Sequence, residues 1–166
     1  NTYLKSLILP EGAIVKIKQL ANTKYLFVYK DLGVAIYETP TYLQVLPRIY
    51  WFPSGNASLT ADAALDPTGK IWVISEKGAV SGFNPTTGKW TFAVGLSAMG
   101  GRKSSQPTGA YRIFADSKGF LWIYTAGIPG PLFSLQTTDN KVNIYQEDKF
   151  HQGLALGLNN NIINAI

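Results

Sequence analysis

The residues able to do chemistry on a substrate are few. His151 is the only histidine among 166 residues, and there is no cysteine. Zinc sites draw on several His or Cys side chains, so neither a metal nor a thiol nucleophile is expected. Gly95-Leu96-Ser97-Ala98-Met99 approaches the Gly-x-Ser-x-Gly nucleophile elbow, but Met99 stands where the second glycine is needed. Asp66 and Asp116 could act as an acid–base pair. Each also stands three residues before a glycine, Gly69 or Gly119, which suits a turn. Aspartate bonds its own backbone there, and glycine accepts positive φ. The adjacent Glu147-Asp148 reads as a solvated link, and no phosphate-cradling glycine motif is present. No catalytic residue, metal or cofactor is expected.

Binding has better candidates. Gly95 to Gly109 is a long stretch without strand character, and it carries Arg102 and Lys103, with Tyr111 and Arg112 just beyond. Arginine can grip a carboxylate or sulfate with paired hydrogen bonds, and an aromatic face can stack on a sugar ring. Arg48 to Asn56 is strongly aromatic around Trp51. A blander reading stands beside each. Arg102 and Lys103 can simply solvate a loop, and Tyr111 can open a strand and point into the core. Tyr50, Trp51 and Phe52 can be the outer strand of a sheet.

The elements that would position these residues follow from a repeat. An interval of 50 residues separates Asp66 from Asp116, Gly69 from Gly119 and Trp72 from Trp122. Apolar residues match at the same interval, Ile71 with Leu121 and Val73 with Ile123. An eroded copy lies 45 residues earlier, with Phe27 in place of Trp72 and Gly33 in place of Gly78. Within one copy, apolar runs at Leu59–Leu65, Ile71–Ser75, Val80–Phe83 and Lys89–Val94 alternate with turn residues. The next copy repeats this at Tyr111–Ala115, Leu121–Thr125, Leu132–Gln136 and Val142–Gln146. Four short strands in a repeat of this length predict a β-propeller blade. The expected fold is therefore all-β: a partial propeller of about three four-stranded antiparallel blades, not a closed ring. The blades are expected at about 9–52, 57–94 and 110–146, with the start of a further repeat at 157–166. Trp72 and Trp122 are expected to be buried alike. Asp66, Gly69, Asp116 and Gly119 are expected to hold the turns.

Composition agrees. Hydrophobic residues make up 46% and aromatics 13%, with 16 glycines, a balance that favours strands and turns. The net charge of +5 comes from scattered Lys and Arg rather than a run, so no nucleic-acid partner is expected. No apolar stretch is long enough to span a bilayer. There is no initiator Met or signal peptide, and Ile166 falls inside an apolar run, so both ends are expected to be cuts in a longer protein. Exposed faces of end blades would then invite self-association.

Gly119-Phe120-Leu121-Trp122-Ile123-Tyr124-Thr125 resembles the Gly-x-Leu-Trp-Ile-Gly-Thr core of the two-component-regulator propeller repeat, with Tyr124 in place of glycine. Residues 157–166 are similar to the link into the next copy of that repeat. The resemblance covers most of 59–166 well and 9–50 weakly. It implies the exported, periplasmic sensor region of a two-component histidine kinase, with a glycan-derived ligand and the remaining blades of the receptor as partners. Structural or protein-interaction blades without a ligand, or a propeller lyase, are the alternatives.

Overall fold

β-branched and aromatic residues bounded by Gly, Asn and Asp build strands throughout. The structure, a computed structural model, describes residues 11–31, 33–38, 48–51, 59–96, 111–126 and 131–145. Twelve strands run in chain order: β1 Ile14–Ala21, β2 Lys24–Tyr29, β3 Gly33–Glu38, β4 Arg48–Trp51, β5 Thr60–Leu65, β6 Ile71–Ser75, β7 Ala79–Asn84, β8 Lys89–Gly95, β9 Tyr111–Ala115, β10 Phe120–Thr125, β11 Leu132–Gln136 and β12 Val142–Tyr145. They form three four-stranded sheets, β1-β2-β3-β4, β5-β6-β7-β8 and β9-β10-β11-β12, and all pairing is antiparallel between consecutive strands. No α-helix occurs among the described residues. The fold is all-β, made of propeller-type blades.

The chain divides into two compact units, residues 1–57 and 58–166. The first holds blade 1 (β1–β4). A two-residue turn at Asn22-Thr23 joins β1 to β2, where Ala21 pairs with Lys24. Phe27, Tyr29 and Ala35 form its buried cluster, lined by Tyr25, Tyr37 and Ile49. The Tyr29 hydroxyl is buried with no hydrogen-bond partner among the described residues, and burial raises its pKa.

The second unit holds blade 2 (β5–β8) and blade 3 (β9–β12), which share one core. Directly paired residues in a sheet lie on the same face. Trp72 pairs with Ala64 and Gly82, and Ile74 pairs with Val80, so these residues line one face of blade 2. In blade 3 it is the alternate residues Ile113, Leu121, Ile123, Phe133 and Leu135 that share a face. The two faces meet in a single buried cluster with Tyr111, Val94 and Leu96. Strands β5 and β9, the first of each blade, run beside one another.

Candidate functional site

The repeated Asp-x-x-Gly turn explains why Asp and Trp recur together. In blade 2 the Asp66 Oδ1 accepts hydrogen bonds from the Thr68 N–H (2.8 Å), the Thr68 hydroxyl (2.6 Å) and the Lys70 N–H (3.1 Å). The other oxygen, Oδ2, accepts from the Trp72 indole N–H at 2.8 Å. In blade 3 Asp116 Oδ1 accepts from the N–H groups of Lys118 (2.8 Å) and Phe120 (3.0 Å). Its Oδ2 accepts from the Trp122 indole at 3.0 Å. Gly69 and Gly119 sit at φ of 82° and 84°, which glycine adopts without strain. The capping role was legible in the spacing; the indole bond was not. Blade 1 lacks both halves of this unit: Ala21 stands 45 residues before Asp66, and Phe27 stands 45 before Trp72.

Electrostatics differ between the two turns. Burial raises the Asp116 pKa, but hydrogen bonds from Trp122, Phe120 and Lys118, with the Lys118 charge, outweigh it and hold the carboxyl below its ordinary value. Near Asp66, the Lys70 ammonium lies over the Trp72 ring, 4.1 Å from the centroid. Burial lowers its pKa against the pull of Asp66. Gly82 makes room for that arrangement, since a Cβ there would collide with Lys70 Cε.

Burial separates the two tryptophans. Trp72 is 1% exposed, whereas Trp122 is only half-buried. This corrects the expectation that they are buried alike. The reason is that blade 3 covers the Trp72 face of blade 2, while Trp122 projects from the opposite face of blade 3 beside Phe114, which is 46% exposed. Its ring neighbours are Phe120 and Tyr145.

Of the expected binding residues, Tyr111 and Arg112 open β9 in the second unit and Trp51 lies in β4 of the first. Tyr111 is buried between blades 2 and 3. Its ring lies against the Gly78 turn, where a Cβ would come within 3.1 Å of the hydroxyl. Burial raises its pKa. The ring therefore offers no stacking face for a sugar, and Tyr111 is core, opening β9. Arg112, its neighbour, is exposed, and its guanidinium donates to the Tyr111 carbonyl at 2.9 Å. Trp51 closes β4, where its backbone pairs with Gly33, so Arg48–Trp51 is the outer strand of blade 1. Arg102, Lys103 and His151 lie outside the described residues. Among the described residues no cluster of His, Cys, Asp or Glu could hold a metal, and no helix is long and apolar enough to cross a membrane.

Asp62 escaped sequence reasoning. It is buried, with Oδ1 accepting from the Ala63 N–H at 2.8 Å and Oδ2 from the Ile113 N–H of blade 3 at 3.2 Å. The available signal was an acid inside the apolar run Ala61-Asp62-Ala63-Ala64.

No family model and no curated protein matches the chain. Among solved structures, the chain is similar to one described as YCF48 bound to D1 peptide, a β-propeller protein, with a TM-score of 0.56 and 11% identity. The match covers 82% of this chain and 40% of that one. A structural-genomics protein of unknown function from Bacteroides thetaiotaomicron aligns over 82% of this chain and 44% of its own, with 12% identity and a TM-score of 0.48. This chain thus spans less than half the length of either. At such identity the first likeness speaks to fold alone: joined to the three four-stranded sheets, it makes this a β-propeller-like chain.

Proposed function

We propose that this chain is a recognition segment of a β-propeller and does no catalysis itself. One observation carries the reading. The two repeat-related carboxylates, the best acid–base candidates in the sequence, both spend their oxygens on turn N–H groups and an indole. A carboxylate so engaged is a structural acceptor, not a proton shuttle. The finer reading is the extracytoplasmic, periplasmic sensor region of a two-component receptor that binds a glycan-derived ligand or relays its binding. The Gly119–Thr125 motif supports it. Arg102 and Lys103 are the residues assigned to an anionic sugar, because arginine matches carboxylate and sulfate geometry.

A second reading, contact with a protein, draws on the solved YCF48 structure with its bound peptide. The test is a glycan array probed with the intact protein and with its Arg102→Ala/Lys103→Ala variant. Retention of carboxylated or sulfated oligosaccharides by the native protein, lost in the variant at unchanged melting temperature, is the expected result. Binding to no glycan would overturn the sensor reading and favour the protein partner.

A further inference from the structure

Among the described residues, β5 and β9 each end their sheet, and they run side by side without joining into one. An end strand turns alternate backbone N–H and C=O groups outward, where a further strand can pair with them. The hairpins fix which groups these are. The Asp66 N–H donates to the Lys70 carbonyl, and the Asp116 N–H donates to the Phe120 carbonyl. In steps of two from these closing bonds, Ala64–Trp72 and Phe114–Trp122 are hydrogen-bonded pairs, whereas Ala63–Val73 and Ile113–Ile123 are not. The N–H groups of Ala63 and Ile113 therefore point off the open edges.

One side chain meets both. Asp62 Oδ1 accepts from the Ala63 N–H at 2.8 Å, and Oδ2 accepts from the Ile113 N–H at 3.2 Å. The carboxylate is buried and bridges the two edges. It stands beside a shift of register between Thr60 and Asp62, an irregularity of the kind that re-aims a side chain. Arg112 occupies the same place 50 residues later. By the same alternation Tyr111–Thr125 is a pair without ladder bonds, so the Tyr111 carbonyl also points outward. The Arg112 guanidinium donates to that carbonyl at 2.9 Å. At one position of the repeat, an acid thus serves outward donors and a base serves an outward acceptor.

We propose that Asp62 and Arg112 guard the open edges of β5 and β9, engaging their outward backbone groups and denying these edges to a strand from a second copy of the chain. A strand laid along either edge would have to displace these bonds and bury a charge. Asp62 is the stronger guard, because it is buried and holds two strands at once. Arg112 is exposed and acts on its own strand. This inference does not depend on the glycan reading, and it gives Arg112 a task other than holding a ligand.

Asp62→Ala tests the first half. Backbone amide exchange should quicken at Ala63 and Ile113 by roughly ten-fold or more, the worth of a hydrogen bond to a charged acceptor. The ladder amide of Phe114 should change far less. Sedimentation velocity tests the second half. Asp62→Ala/Arg112→Ala should form larger species than the native chain as concentration rises. Gly69→Ala, which strains a turn where the new Cβ has no neighbour within 4 Å, controls for mere loss of stability and should sediment as the native chain does. Asp62→Asn keeps the volume and one oxygen, so it carries the test if alanine prevents folding: one of the two amides should then exchange faster. Equal sedimentation of the guard and turn variants would overturn the proposal, as would unchanged exchange at both amides in Asp62→Asn.

Discussion

Blades 2 and 3 carry the same turn and the same tryptophan, yet only one of the two rings is sealed from water. Asp66 and Asp116 each cap their turn with one oxygen and hold an indole with the other. That unit is local, complete within seven residues of chain. Burial is not local. Trp72 is enclosed because blade 3 packs over it, and Trp122 is half-open because its face points away from that contact. The repeat therefore specifies geometry, and the neighbour specifies energy.

The sharpest way to break this comparison is truncation. Trp72→Ala should destabilise by about 3–5 kcal/mol, the range for a buried aromatic leaving a cavity. Trp122→Ala should cost roughly half as much, since part of its surface is already in water. Denaturant midpoints compared at constant m-value measure both, and equal losses would dissolve the distinction.

Removing the acceptor comes next. Asp66→Ala strands the buried Trp72 N–H and two turn N–H groups, and should cost about 2–3 kcal/mol. Asp116→Ala should cost less, because water can reach the more open turn. Thermal denaturation of the two variants side by side ranks them.

The glycines sharpen the contrast further. Gly69 and Gly78 both have positive φ, but only Gly78 has a neighbouring ring within 3.1–3.3 Å of a would-be Cβ. Each change to Ala should cost about 1–2 kcal/mol for the backbone alone. Gly78→Ala should cost about 1 kcal/mol beyond that, since overpacking adds to strain. Combining it with Tyr111→Phe, which removes the nearest atom, should recover part of that excess in a double-mutant cycle.

The smallest effect is in pH. The folded Asp116 carboxyl lies below its ordinary value. Its contribution is complete above the unfolded value, about pH 4, and fades as pH falls through the lower folded one. Stability measured from about pH 5 downward should decline less steeply in Asp116→Asn than in the native chain.

What could be read from sequence was what lies close together along the chain. The Asp-x-x-Gly turns were legible because their hydrogen bonds close within four residues. β6, β10 and β11 were legible because apolar runs ended at turn residues on both sides. β5 begins at Thr60 and not Leu59, a shift of one residue where a strand meets a link. The direction of the Tyr111 ring was not legible, since a residue opening a strand can face either side. Nor was the role of Asp62, whose decisive partner, Ile113, is 51 residues away.

The pairing order has a kinetic consequence. Among the described residues each strand pairs with those adjacent in sequence, so each sheet needs closure of short loops alone. Hairpins of this kind form within microseconds. The contacts joining blade 2 to blade 3 must instead gather residues a full repeat apart. Folding of this pair of blades should then run in two tempos, with local ladders forming first and blade docking setting the observed rate. Substitutions at the junction, such as Ile113→Val, would speed unfolding while leaving early ladder formation untouched.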